Sequence, residues 1–313
     1  MPACCVGIVG LGLLGEALAR RLIGGGYKAA GFDLDAAKNT AFAQLGGEIC
    51  TDAGALAKHC DAVVLAVLNT EQVEQVVERE MLPALGEASG KTVLCASTCD
   101  PDRISSLAER VEARGLHFLE TPVSGSSGQV ARGEGLGLIG GDMQTVARLE
   151  PVLRALFPVY FHIGGVGDAG RAKLAINLIL GLNRLALAEG LVFAERLGLD
   201  PAAFLKVARK SACHSQVMDV KGDKMVHGDF APEGRVAQHL KDVQLILEQA
   251  KRAGQELPLS TVHADVLQAC VRRGQADLDN SSVIEEVRRC RFRLPATREE
   301  GAEPRSGEAG EGR

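Results

Sequence analysis

The stretch Val6-Gly7-Ile8-Val9-Gly10-Leu11-Gly12-Leu13-Leu14-Gly15 decides the fold. Its first four residues read as a buried strand, and Leu14, Leu18 and Leu22 then recur at helical spacing, so the glycines stand on a strand-to-helix turn. A G-x-G-x-x-G in that context is a dinucleotide fingerprint. Gly10 permits the tight turn, Gly12 lets the backbone approach a pyrophosphate, and Gly15 allows the helix to pack closely on the strand. Leu11, Leu13 and Leu14 fill the turn and open the helix, whose N-terminus supplies donors and partial positive charge. Asp33 ends the next strand in Gly31-Phe32-Asp33-Leu34-Asp35. An acid roughly 20 residues beyond the glycines is placed to accept hydrogen bonds from the adenosine ribose. Its charge repels a 2′-phosphate and no Arg follows it, which favours NAD over NADP. Lys38 is the nearest cation and keeps NADP possible. Asp35 reads as a helix N-cap.

Beyond this stretch, short apolar runs alternate with amphipathic segments. Ala29 to Phe32, Ala62 to Leu68, Thr92 to Ala96, His117 to Leu119, Gly137 to Ile139 and Val159 to His162 read as strands. Val73, Val76 and Val77, then Ile104, Leu107 and Val111, fall at helical spacing, and Asp142 to Leu156 is a further helix. This alternation predicts an α/β architecture, a Rossmann-type doubly wound parallel sheet covered on both faces, over residues 1–164. After Gly164-Gly165-Val166-Gly167 the texture changes. Ala172 to Leu197 is apolar on nearly every side, and a helix of that kind must be buried between domains or subunits. Pro201 to Lys210, Ser215 to Met225, Val236 to Ala253 and Leu259 to Arg273 also read as helices. Residues 165–295 are therefore expected to form an all-α domain joined by a long interdomain helix, for substrate binding and oligomerisation. Residues 296–313 hold glycine and charge without a large apolar side chain, and a disordered tail is expected there.

Composition narrows the function classes. At 313 residues, 46% hydrophobic and 24% charged, the chain suits two globular domains rather than a disordered or fibrous polymer. Its formal charge of −5 gives no general electrostatic reason to bind nucleic acid or anionic lipid. No unbroken apolar run reaches the roughly 18 residues of a membrane span. The nine cysteines are scattered, odd in number and without a C-x-x-C pair. They read as small buried side chains in a reducing compartment, with no disulfide framework and no metal site. The N-terminus lacks the basic segment of a secretory signal, so a cytoplasmic protein is expected.

Two further segments carry chemistry. Thr121-Pro122-Val123-Ser124-Gly125-Ser126-Ser127-Gly128 is rich in small donors and reads either as a cradle for a carboxylate or as a flexible surface loop. Gly167-Asp168-Ala169-Gly170-Arg171-Ala172-Lys173 leads into the apolar helix, with Asn177 four residues after Lys173. Positions i and i+4 share a face, so ammonium and amide project to one place. On an apolar face such groups are costly unless used, as a site or as a structural polar pair.

In these motifs the sequence resembles the β-hydroxyacid dehydrogenases, the 3-hydroxyisobutyrate dehydrogenase family, over roughly residues 5 to 293. Gly10 to Gly15 is similar to its cofactor fingerprint. Pro122-Val123-Ser124-Gly125, with Gly133 and Gly140-Gly141, resembles its substrate signature. Gly167-x-x-Gly170-x-x-Lys173-x-x-x-Asn177 resembles its catalytic signature, and Lys241-Asp242 its late cofactor-side motif.

The resemblance implies that Lys173 is the catalytic lysine, Asn177 orients substrate, and Ser124 with Gly125 forms the carboxylate-binding turn. It also implies that Leu68 and Asn69, Thr98 and Lys241 line the nicotinamide side. The family usually has proline where Asn69 stands and a second glycine where Ser126 stands, so Ser126 becomes a candidate substrate contact that narrows the pocket or adds a donor. His239, the histidine closest to the site motifs, reads as a structural or rim residue.

The chemistry expected is hydride exchange between NAD and a small 3-hydroxy (or 2-hydroxymethyl) carboxylate or its semialdehyde. Lys173 would act as general acid and base, its pKa lowered by burial. The substrate is then a small anionic hydroxy acid or semialdehyde, and the assembly a homodimer or homotetramer. Alternatives on the same scaffold are an imine reductase, which Lys173 opposes, a 6-phosphogluconate-type sugar-acid dehydrogenase, or a non-catalytic binding module. The sugar-acid reading would need a basic phosphate cluster, which Arg171, Arg184 and Lys210 do not obviously form.

Overall fold

The computed structural model describes residues 5–86 and 90–289. Cys4, Cys290 and the expected tail at 296–313 lie outside the described residues. The N-terminal half alternates strand and helix: β1 Cys5–Val9, α1 Leu13–Gly24, β2 Lys28–Phe32, α2 Ala36–Gln44, β3 Glu48–Ile49, α3 Ala53–His59, β4 Ala62–Leu65 and α4 Thr70–Gln75. A π-turn at Val76–Met81 leads into α5 Leu82–Leu85. Then come β5 Thr92–Cys95, α6 Pro101–Glu112, β6 His117–Glu120, β7 Val123–Ser124, α7 Ser127–Ala131, β8 Leu136–Gly141, α8 Met143–Leu156 and β9 Val159–Gly164.

The strands form one sheet in the order β3-β2-β1-β4-β5-β6-β8-β7, with β9 on the far side of β8. The order reverses between β1 and β4, which opens a crevice at their carboxyl ends, the switch point where such sheets bind ligands. Side chains alternate across the sheet. Val6, Ile8, Val64 and Leu94 pack on Leu18 and Leu22 on one face. Val63, Leu65 and Val93 pack on Leu56, Ile104 and Leu107 on the other. Burial on both faces makes these strands continuous apolar runs.

The sheet departs from the expected all-parallel form at one side. Strands β1 to β6 are parallel, but β8 runs antiparallel to β6 and to β7. The chain after β6 pairs β7 directly with β8 and leaves only the five-residue α7 between them, too little for a parallel crossover. Helix α3 was not foreseen because its buried face is Ala53, Gly54 and Ala57 around a single leucine, Leu56.

Helix α9, Asp168–Arg196, runs 29 residues and starts four residues before the apolar stretch does. By length and composition it could cross a membrane, which the count of unbroken apolar residues missed. Here it is the spine of a helical domain. Helices α10 Pro201–Ala208, α11 Gln216–His227, α12 Val236–Arg252, α13 Pro258–Arg272 and α14 Val283–Arg289 all pack on it, the last after a 3₁₀ turn at Asn280–Ser282. Leu187, Leu191, Leu205, Met225, Val243 and Leu267 form that domain's core.

Candidate active site

The glycine turn fits a dinucleotide on steric grounds. Gly10 has φ +91°, and a Cβ there would meet the Ala66 carbonyl oxygen at 2.7 Å. A Cβ on Gly15 would lie 1.8 Å from the Gly10 carbonyl oxygen, so only glycine lets α1 sit down on the turn. A Cβ on Gly12 would meet nothing within 4 Å, so its open side faces the crevice. No side chain among the described residues caps α1, which leaves its first-turn N–H groups for an anion. Asp33 stands beside this turn. Its Oδ2 accepts the Leu11 N–H at 2.8 Å and its Oδ1 the Asp35 N–H at 2.9 Å, with the Lys38 ammonium 3.4 Å away. The Asn39 side chain clamps the Asp33 peptide by one bond to its N–H and one to its carbonyl. Asp35 does cap α2, accepting the Ala37 N–H.

Leu68 and Asn69 follow β4 at the crevice but are occupied with local structure. Asn69 caps α4 through the Gln72 N–H at 2.9 Å, and the Leu68 N–H donates to Gln72 Oε1. A helix cap accounts for an asparagine at a position that needs no proline. Lys241, on α12, reaches across from the helical domain. Its Nζ donates to the Thr98 carbonyl at 2.7 Å and the Leu68 carbonyl at 3.1 Å, and lies 3.0 Å from Asp242 Oδ1. It stitches two strand-end loops of the sheet to α12.

The second half of the site is built around α9. Gly167 (φ +100°) sets its start, and Glu120, at the end of β6, accepts the N–H groups of Gly167 at 2.5 Å and Gly170 at 3.4 Å. Gly140 and Gly170 exist to make room for that carboxylate: a Cβ on either would come within 2.9 or 2.7 Å of it. Burial pushes the Glu120 carboxyl up to about 7, against the pull of the two backbone bonds.

One turn into α9, Lys173 is only 7% exposed and forms no salt bridge among the described residues. Burial pulls its ammonium down to about 8; Asp242 opposes that shift, and the charges of Lys241 and Arg184 add to it. Asn177 Nδ2 donates to Asp242 Oδ2 at 3.0 Å, so the carboxylate holds the amide beside the lysine.

Opposite lies the serine turn. Gly125 has φ +138°, a conformation that favours glycine. Ser126 caps α7 in a reciprocal pair with Gln129: its Oγ accepts the Gln129 N–H at 3.3 Å, and its own N–H donates to Gln129 Oε1 at 2.9 Å. The departure from glycine thus has a local use, and the Ser126 hydroxyl keeps its proton to donate.

These groups meet in one cleft of about 410 Å³, between Leu13, Leu14 and Thr98 on the sheet side, the Ser124–Ser127 turn, and Lys173, Asn177 and Asp242 on the helical side. Gly10, Leu11, Gly12, Gly15, Asp33, Leu68, Asn69 and Lys241 stand outside its lining. Asp242, Arg184 and His239 are among the cleft residues outside the expected set. Asp242 was visible only as the neighbour of Lys241. Arg184 lies eleven residues after Lys173, three helical turns, a spacing that places it on the same face. His239, which reads as a structural or rim residue, is buried against the cleft.

Residues 5–164 match the family described as the NAD binding domain of 6-phosphogluconate dehydrogenase, and residues 167–287 the one described as NAD-binding of NADP-dependent 3-hydroxyisobutyrate dehydrogenase. The chain is 29% identical over 280 residues to an L-threonate dehydrogenase of Cupriavidus necator, covering 89% of this chain and 94% of that protein. It is 28% identical over 284 residues to a 2-hydroxy-3-oxopropionate reductase of Escherichia coli, covering 90% and 96%. Among solved structures, a 3-hydroxyisobutyrate dehydrogenase from Salmonella typhimurium superposes with a TM-score of 0.83 at 28% identity, covering 90% of this chain and 99% of that one.

Proposed function

Because the chain belongs to the β-hydroxyacid dehydrogenase family and is an NAD(P)-dependent oxidoreductase, we propose that it interconverts a small 3-hydroxy (or 2-hydroxymethyl) carboxylate and its semialdehyde, with Lys173 as the proton-transfer group. The observation that carries this reading is a buried lysine, its ammonium pulled down to about 8, in a cleft shared with a serine turn and with Leu13 and Leu14 at the start of α1.

The nicotinamide, when bound, accepts or supplies the hydride. The chain's residues do the rest. The Ser124–Gly125 turn offers donors to the substrate carboxylate, and Asn177, fixed by Asp242, offers its amide to the substrate oxygen. As neutral amine, Lys173 takes the hydroxyl proton during oxidation. As ammonium, it stabilises the developing alkoxide during reduction and then protonates it. The apolar helix around it excludes water and keeps its pKa near working pH. Asp33, tied to the Leu11 N–H, favours a ribose diol over a 2′-phosphate, so NAD is the preferred partner, with Lys38 softening the discrimination.

The test is a panel of short hydroxy acids and semialdehydes followed by reduced-cofactor absorbance, in both directions and with both cofactors. Turnover of at least one 3-hydroxy acid is expected, faster with NAD. No absorbance change with any member would refute the reading.

A further inference from the structure

Helix α9 carries a second cation that the proton-transfer chemistry leaves unused. Arg184 is only 8% exposed and lines the cleft, yet its Nε and Nη1 have no hydrogen-bond partner among the described residues. Asp279 is the acid whose charge it feels, but that carboxylate is fully buried and already engaged. It accepts from Lys221 Nζ at 2.9 Å, from the Ser281 hydroxyl at 2.7 Å and from the backbone of Glu233 and Gly234. Beside Arg184 lies His239, also buried, with Nε2 unpartnered among the described residues; burial first, and then the charge of Arg184, hold its ring neutral. Gly181 makes the arrangement possible. A Cβ there would lie 2.7 Å from His239 Nε2 and 2.6 Å from His263 Cε1, so glycine lets both imidazoles close on α9.

A buried guanidinium without a counter-ion costs several kcal/mol, and unmatched polar atoms add to that. Such a cost in a cleft wall is offset when an anion arrives. Phosphates of the dinucleotide are not that anion, because their donors are at α1 across the cleft. Arg184 and Lys173 share one helix face, with Cα atoms about 16 Å apart along the axis, and helical side chains lean back toward the N-terminus. The guanidinium therefore leans back along α9 toward Asn177, in the cleft wall that both share.

We propose that Arg184, with His239 beside it, anchors a second carboxylate, so that the substrate is a hydroxy dicarboxylate or its semialdehyde. This rests on the hydroxy-acid reading above and names its substrate class. The bidentate donor geometry of arginine suits a carboxylate, and His239 adds one donor when its proton is on Nε2.

The test is calorimetric titration of the full chain, saturated with reduced nicotinamide cofactor, with unreactive glutarate and with butyrate. Glutarate is expected to bind about 10- to 100-fold more tightly, the usual worth of a charge-assisted pair. Arg184→Met should erase that difference while leaving butyrate within a few-fold, and Arg184→Lys should retain part of it. The ligand-free Arg184→Met protein should melt no lower than the parent, since it loses an unpaired buried charge; a structural arginine would give a lower Tm. Equal affinity for the two acids, or an equal loss of both in the variant, would overturn the inference. Turnover of monocarboxylates alone overturns it too and spares the hydroxy-acid reading. Arg184-dependent glutarate binding without turnover of any hydroxy acid supports the anchor and sinks that reading.

Discussion

Lys173 has its ammonium pulled from the ordinary lysine value to about 8, burial being the main cause. The sign fixes the pH profile. Oxidation needs the neutral amine, so its rate should rise with pH and level off above about 8, while reduction should fall over the same interval. Lys173→Met should lower turnover by about 10²–10⁴-fold and remove both limbs. It should also leave stability at neutral pH undiminished. A folded pKa below the unfolded one means that the lysine's contribution is fully present only above the unfolded pKa and is lost as pH falls through about 8. Parental turnover in the variant would end the assignment. Asp33 carries a second prediction. Because its carboxylate also ties down the Leu11 N–H, Asp33→Ala should weaken both cofactors. Loss of the ribose acceptor should cost NAD about tenfold more than NADP in Kd, measured by fluorescence titration. Equal losses would refute the ribose assignment.

Among the elements, the start of α9 is the joint between the two halves, and Glu120 is its pin. Its carboxyl is raised from the usual range to about 7, mainly by burial. A raised folded pKa contributes stability that is complete below the unfolded value and is lost as pH rises through about 7. The Tm should therefore fall between pH 5 and 8 by the equivalent of about 3 kcal/mol. Glu120→Gln, which keeps an acceptor for the Gly167 N–H, should flatten that slope; an unchanged slope by differential scanning calorimetry would exclude Glu120 as its source. How legible these elements were follows from their physics. The β1–α1 turn, the strands and the long helices were readable because apolar periodicity and glycine sterics are local. The Lys173–Asn177 pair was readable because both lie on one helix face. Glu120, Asp242 and His239 were not, since what matters about each is a neighbour from another element: the Gly167 N–H, the Asn177 amide, the wall of α9. Leu68 and Asn69 show the reverse. They stand at the expected strand end, but their hydrogen bonds serve α4 and Lys241.

For the whole molecule, burial of α9 is incomplete. Ile179 is 58% and Phe193 65% exposed, on the side turned away from the helical core, and Leu259 and Val262 on α13 are exposed as well. We expect a second copy to cover this apolar stripe, giving a dimer or tetramer by light scattering. Phe193→Glu should shift the protein toward monomer, and a parent already monomeric at micromolar concentration would exclude the assembly. The unbroken course of α9 has one more consequence. Lys173, Asn177 and Arg184 ride on a single rod, so their separations are counted in helical turns rather than set by loops. One residue inserted between Asn177 and Arg184 would swing the guanidinium about 100° around the axis and out of the cleft. With Arg184 as the proposed anchor, tolerated substrate length would change only in whole-turn steps, as on a notched gauge rather than a sliding one.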